Sequence, residues 1–401
     1  MKAKIYIPIF YIITVLCAFS CIEEIAIETK TFENALVIEA TITNEFKYQE
    51  INLSRTFKLE LNGPSPERNA IIKITDNSQN TYKFTETIPG KYVSDIEFSP
   101  QLNVNYVLQI TTFDGRSYSS QPTILTSSTQ IDTINTLREI DDFGNENITI
   151  SVDSFDPTGN SKYYRYKYEE TYKIIAPYWS KYDLILTTYV YPFRVGRVNK
   201  TDEKQVCYNT VPSNSIIQTE TTGFFEDRVS NFPVRVISRY NPIISHRYSI
   251  LVKQYIQSLD AFTFYKTLAN LSGSESLFSQ NQPGFFNGNV FSIDDANEKV
   301  IGFFEISSVS SKRIYFNYTN LFPNEPLPPY FTECDFFAPT DIADASDPSA
   351  LYTYIKGGDV IYYSENLDPD LINPGPYFLV TAECGDCTRL GTNVKPNFWI
   401  D

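Results

Sequence analysis

Residues 35–43 read Ala-Leu-Val-Ile-Glu-Ala-Thr-Ile-Thr, and their alternation decides the fold class. Leu36, Ile38, Ala40 and Ile42 fall on one face of an extended chain, the period-two signature of a half-buried strand. The same pattern continues outward. Glu50–Arg55 is a second strand, and Asn62-Gly63-Pro64-Ser65-Pro66 is a loop. Ala70–Thr75 and Thr81–Thr85 flank the turn Asp76-Asn77-Ser78-Gln79-Asn80. Ile88-Pro89-Gly90-Lys91-Tyr92 turns into another strand. Val104–Thr112 and Ser117–Ser120 flank Phe113-Asp114-Gly115-Arg116, where Asp-Gly is a strong hairpin signal. About seven strands in roughly 90 residues predict an immunoglobulin-like β-sandwich over residues 35–126.

Residues 127–401 predict a larger β-rich C-terminal domain with one main helix. Ile148–Val152, the aromatic run Tyr163–Tyr168, Asp183–Tyr191, Val234–Ser238 and Arg247–Ile256 alternate as strands do. Ser258–Leu271 carries Ala261, Phe262, Tyr265, Leu268 and Ala269 at helical spacing, with Ser258 as N-cap and Gly273 as stop. Strands resume at Val300–Val309, Lys312–Asn317, Val360–Ser364 and Tyr377–Ala382. Composition agrees: 29 Tyr and 29 Phe against a single Met lean the chain toward β structure. The fold class is therefore mainly β.

The N-terminus has a separate logic. Lys2 and Lys4 precede an uncharged run from Ile5 to Ser20, the layout of a signal peptide over residues 1–20. The run is shorter than the ~20 residues a membrane span requires. Ala18-Phe19-Ser20-Cys21 resembles a lipobox. Cys21 is the lipidation site, Leu16 being too bulky to precede cleavage at Cys17, and residues 21–34 form a lipid anchor and tether. Removing residues 1–20 takes away Lys2 and Lys4 and no acid. The remainder holds 31 basic and 48 acidic residues, a net charge of −17. That balance argues against a nucleic-acid partner and against adsorption to anionic membranes, which need basic patches. The expected membrane contact is the N-terminal lipid.

Cys207, Cys334, Cys384 and Cys387 are an even set in an oxidising compartment and read as structural disulfides with three possible pairings. Cys384-Gly385-Asp386-Cys387 has CxxC spacing. It lacks a following helix pattern that would activate a thiol, and no second CxxC accompanies it to complete a zinc site. No metal and no cofactor are expected. His246 is the only histidine and reads as structural, so a Ser-His-Asp mechanism would rest on it alone. No phosphate-cradling loop, Gly-x-Ser-x-Gly elbow or His-Glu-x-x-His motif occurs. The acid-rich stretches Asp335–Asp347 and Asp359–Asp370 lack EF-hand spacing and read as solvated loops. Tyr178 and Trp179 in Pro177-Tyr178-Trp179, with the Tyr163–Tyr168 run, are the candidates for stacking on a sugar or a partner. The competing reading makes alternate aromatics core and the rest strand-surface pairs.

Several stretches, in this order and spacing, carry a family resemblance: Ala35–Thr43, Ile88–Ser94, Tyr106–Ser119, Arg247–Leu271, Gln282–Gly288, Val300–Ile314 and Glu383–Trp399. On these the chain resembles the Bacteroidota outer-membrane lipoproteins grouped as domain of unknown function 4249. It departs at Gly302-Phe303-Phe304, where Gly-Tyr-Phe is common, and at Arg389-Leu390-Gly391, which is one Gly short. The resemblance implies a surface lipoprotein, often encoded beside a TonB-dependent transporter, and names no chemistry. In such lipoproteins an acidic pair such as Glu23-Glu24 close to the lipidated cysteine resembles an address for the outer face of the outer membrane. The expectation is a non-catalytic surface lipoprotein, accessory to a TonB-dependent transporter in cargo capture. The alternatives are a surface glycan-binding protein using exposed aromatics, or a hydrolase built on a carboxylate pair.

Overall fold

The computed structural model describes residues 34–57, 63–272, 288–344 and 346–401. The signal segment, Cys21, Gly273 and residues 282–287 of the Gln282–Gly288 stretch lie outside them. Of the described residues 47% are strand and 10% helix, far below the roughly one-third helix of average globular proteins. The mainly β class holds.

The first unit is one continuous, nearly closed sheet of 11 strands rather than two separately hydrogen-bonded layers. Leu36–Thr43 and Glu50–Arg55 pair antiparallel, and the meander from Ile71 to Ser120 completes the curl. Inward side chains from these strands form a single core that includes Leu36, Ile38, Ile42, Ile74, Leu108 and Phe304. The sheet is not confined to residues 35–126. Val290–Ser292 adds to its Ser117–Ser120 edge, and Val300–Ser307 pairs parallel with Leu36–Thr43, from Leu36↔Val300 to Thr43↔Ser307. Two glycines permit this return. Gly302 has φ +151°, and a Cβ there would sit 2.3 Å from the Ile38 carbonyl oxygen. A Cβ on Gly288 would sit 1.5 Å from the Gly302 carbonyl oxygen.

The second unit is a sandwich. A sheet ordered Ile131–Ile140, Glu146–Asp156, Asp227–Ser238 faces one built on Val206–Pro212, Tyr163–Ile175, Arg247–Ile256 and Val309–Asn317, with Ile217–Glu220 also on Tyr163–Ile175. Val300–Ser307 belongs to the first unit and Val309–Asn317 to the second, so one ribbon stitches them. Ser308 marks the crossing. Its N–H donates to Thr126 Oγ1 at 2.9 Å, and the Val309 N–H donates to Asn44 Oδ1 at 2.9 Å. The helix Leu259–Ser272 begins on Ser258, whose hydroxyl accepts from the Ala261 N–H at 3.2 Å, as an N-cap does.

Many of the tyrosines are core. Tyr92, Tyr106, Tyr164, Tyr166, Tyr248 and Tyr318 are fully buried. Their hydroxyls still find partners: Tyr164 donates to Asp227 at 2.8 Å, Tyr248 to Glu170 at 2.6 Å, and Tyr318 to the Pro326 carbonyl at 2.9 Å. A ring with a satisfied hydroxyl buries a large apolar face without leaving an orphaned polar atom. Turn chemistry is equally local. Asp76 accepts from the Ser78 and Asn80 N–H groups, and Asp156 repeats the pattern with Thr158 and Asn160.

A third cluster forms around Leu184, Leu351, Tyr362 and Leu379. It joins the Tyr182–Thr188/Arg194–Asn199 hairpin, the sheet of Phe336–Phe337, Tyr377–Thr381 and Val360–Glu365, and a second helix, Ala350–Gly357. Two disulfides fasten this region: Cys207–Cys387, to a strand of the second unit, and Cys334–Cys384. The CxxC cysteines therefore bond to distant partners and not to each other. Unfolded without reductant, the four cysteines should take up no thiol label. Removing the Cys334–Cys384 bridge by paired serine substitution should lower stability by about 4 kcal/mol from the 50-residue separation it closes. Four labelled thiols would contradict the pairing.

Candidate functional site: the cleft between the first two units

A cleft of about 610 Å³ is lined by strands of both units. One wall is the outer face of Leu36–Thr43 and Glu50–Arg55, bearing Glu39, Thr41 and Asn52. The other is the outer face of Tyr163–Ile175 and Arg247–Ile256, bearing Arg165, Lys167 and Lys253. The strand period explains the second wall. Tyr164 and Tyr166 turn into the core, so Arg165 and Lys167 turn out.

The floor is a buried ion pair. Arg165 and Glu305 are 4% and 3% exposed and in direct contact across the junction. Glu305 also accepts from the Thr41 hydroxyl at 2.8 Å and from Gln257 Nε2 at 3.2 Å. The Arg165 guanidinium lies over the rings of Tyr265, at 4.2 Å, and Tyr255, at 5.0 Å. Burial pulls the guanidinium pKa down, but Glu305, Tyr265 and Tyr255 outweigh it, and the net shift is upward. Burial also pushes the Tyr265 and Tyr255 hydroxyls up to about 12. Helix Leu259–Ser272 closes one end: Tyr265 caps the guanidinium and Phe264 packs on Phe303 with ring centroids 5.4 Å apart. The residues that make the floor are thus a network fixed in place before any ligand arrives.

Above the floor stand Lys167 and Lys253, which face each other in register on neighbouring strands. Like charges in that position repel. Lys167 is hemmed in by the cleft walls while its side chain still reaches solvent. That crowding, and then the Arg165 charge, hold its ammonium pKa below the ordinary lysine range, against the pull of Glu305 and Glu39.

The residues singled out from sequence lie elsewhere. Cys21 is outside the described residues. Cys207, Cys334, Cys384 and Cys387 are the two disulfides. Tyr178 is half-buried and meets Tyr363 and Phe336 edge-on, at 5.0 and 6.0 Å. Trp179 is half-buried against the main core of the second unit. In the Tyr163–Tyr168 run, Tyr164 and Tyr166 are core, and Tyr163 packs on Phe262 at 5.1 Å. His246 does not line the cleft; burial, then the Lys173 charge, lowers its pKa. Asp344 and Asp370 in the acid-rich loops accept backbone N–H groups of their own turns. Among the described residues no group of three or more His, Cys, Asp or Glu side chains is placed to hold a metal ion. The one sequence signal for the cleft was a lysine at an outward position in each of two aromatic-rich strands; their pairing was not visible.

Fold and cleft define a multi-unit β protein with a preformed polar groove at the junction of its first two units. Residues 22–313 match the family described as Domain of unknown function (DUF4249), and the chain belongs to that family. The match ends inside the Val309–Asn317 strand, before the disulfide-tied region from residue 334 onward. Comparison with curated proteins finds no match.

Lys167 yields a pH prediction. The groups facing it are Arg165 on its own strand, Lys253 on the next, and Glu39 and Glu305 on the first unit. Its folded pKa lies below the unfolded value near 10.4, so folding disfavours the charged form. The penalty is complete below the folded pKa and vanishes as pH rises past the unfolded one. Lys167→Met should therefore unfold at a higher temperature than wild type at pH 7, with the gain fading as pH rises through the folded pKa toward about 10.4. Thermal scans across pH check this, and a lower unfolding temperature at pH 7 would contradict it.

Proposed function

We propose that this chain is a non-catalytic, lipid-anchored module of the outer-membrane surface that captures cargo in its junction cleft for a TonB-dependent transporter. The observation that carries the reading is the cleft: polar, open to solvent, and held by a buried ion pair rather than by mobile loops. Preorganisation of this kind lowers the cost of binding. The N-terminal sequence supports the address. Lys2, Lys4, the apolar run and Cys21 supply an anchor. Among the described residues no helix is long and apolar enough to cross a membrane. The family resemblance supports the transporter as partner. Tyr178 and Trp179 are engaged in packing, so the aromatic-platform reading has less to stand on.

Two measurements test this. Cys21→Ser should move the protein from the outer-membrane fraction to a soluble one; a variant that stays membrane-bound and still incorporates palmitate contradicts the anchor. Tagged protein extracted from outer membranes should bring down a β-barrel transporter in stoichiometric amount, and recovery of the lipoprotein alone would contradict the accessory role.

A further inference from the structure

The lysine pair in the cleft has a consequence for cargo chemistry. Around the cleft Lys47 is ion-paired with Glu45 and Arg165 with Glu305. Lys167 feels the carboxylates of Glu305 and Glu39, and Lys253 that of Glu45, only through space. Neither has a hydrogen-bond or ion-pair partner among the described residues, although they sit directly opposite each other on adjacent strands. Resting the cleft on two facing ammoniums is unfavourable for the empty protein. An oxyanion bridging them removes the repulsion and converts it into two charge-assisted hydrogen bonds. Lys47, Arg165, Lys167 and Lys253 outnumber the two lining carboxylates, Glu39 and Glu50, so an anion is favoured there over a metal cation.

The rest of the lining narrows the class further. Asn52, Asn214 and Ser215 present amide and hydroxyl groups to the cleft, and the Tyr48 ring, 53% exposed, stands at its rim. Such groups suit a hydroxylated carbon skeleton. The volume of about 610 Å³ falls in the usual range for small-molecule sites, roughly 300 to 1,000 Å³.

We infer that the cleft binds a small hydroxylated organic anion, a sugar acid or hydroxycarboxylate, with its oxyanion held between Lys167 and Lys253. This rests on the cleft being the cargo site proposed above. The depressed Lys167 pKa agrees with it, since an anion beside the ammonium favours its charged form.

The test is calorimetric titration of the full-length Cys21→Ser protein with glucuronate, citrate and inorganic phosphate. Glucose is the neutral control, and phosphatidylglycerol vesicles separate a lipid headgroup from a free solute. Glucuronate or citrate should bind at one site per chain, with glucose and vesicles silent. Lys167→Met and Lys253→Met should each weaken that binding at least tenfold while the empty protein stays folded. The Lys167→Arg/Lys253→Arg variant, which keeps both charges, should retain binding and guards against a folding artefact. No binding by any of the three anions overturns the inference. So does equal binding of glucose, binding of phosphate or vesicles alone, or unchanged affinity in both Met variants. If binding fails while the transporter still co-purifies, the ligand class is wrong and the accessory role stands. If binding succeeds without a transporter, the accessory role falls and the site stands.

Discussion

Everything distinctive about the arrangement depends on one buried ion pair. Arg165 comes from the central strand of the second unit and Glu305 from the strand that returns to the first. Removing two charges from water is costly, and attraction at low dielectric offsets the cost only when the remaining polar atoms are also satisfied. Thr41 and Gln257 hydrogen-bond the carboxylate, and Tyr255 and Tyr265 cover the guanidinium, whose buried Nε has no hydrogen-bond partner. The pair therefore demands a particular placement of both sheets and of helix Leu259–Ser272. An apolar contact of equal area would tolerate sliding; a buried pair with fixed partners does not. Lys167 and Lys253 stand above this floor on two strands paired directly with each other, one of which carries Arg165.

Much of the fold was legible wherever a signal is local. The alternation of Leu36, Ile38, Ala40 and Ile42 is a burial pattern, and those four residues are buried. Asp76–Asn80 reads as a turn because an aspartate carboxylate caps the backbone two and four residues on, and it does so here. Ser258 starts its helix for the same kind of reason. What could not be read was long-range. The parallel pairing of Leu36–Thr43 with Val300–Ser307 joins segments more than 250 residues apart. Gly302 and Gly288 mark the close approach only once the neighbouring carbonyls are known. Thr123–Ile124 lies in the first sheet and Ile131–Ile140 in another, but the later strands Val290–Ser292 and Val300–Ser307 belong to the first. The helix Ala350–Gly357 had usable signals in Ser349, whose hydroxyl accepts from the Tyr352 N–H at 3.1 Å, and in Gly358 at φ 76°.

The site was less legible than the fold. Aromatic side chains draw the eye as binding surfaces, yet tyrosines such as Tyr164, Tyr248 and Tyr318 are core residues with a satisfied hydroxyl. The cysteines announced crosslinks and not partners, because pairing depends on where residue 207 lies relative to residue 387 in space. Lys167 and Lys253 are ordinary outward lysines in isolation. Only the strand register sets them opposite each other, and only the first sheet supplies the wall that faces them.

The central claim is that Arg165 and Glu305 act as one unit that fixes the first two β units against each other. A double-mutant cycle by urea unfolding tests it, comparing Arg165→Met, Glu305→Leu and the double variant. Each single change strands a buried charge and should cost about 3 to 5 kcal/mol, whereas the double change should cost far less than their sum. The coupling energy should reach about 2 kcal/mol or more, in the range seen for contacting buried partners. Single effects that simply add, within about 0.5 kcal/mol, would show that the two residues stabilise their own units independently and that the cleft has no common floor.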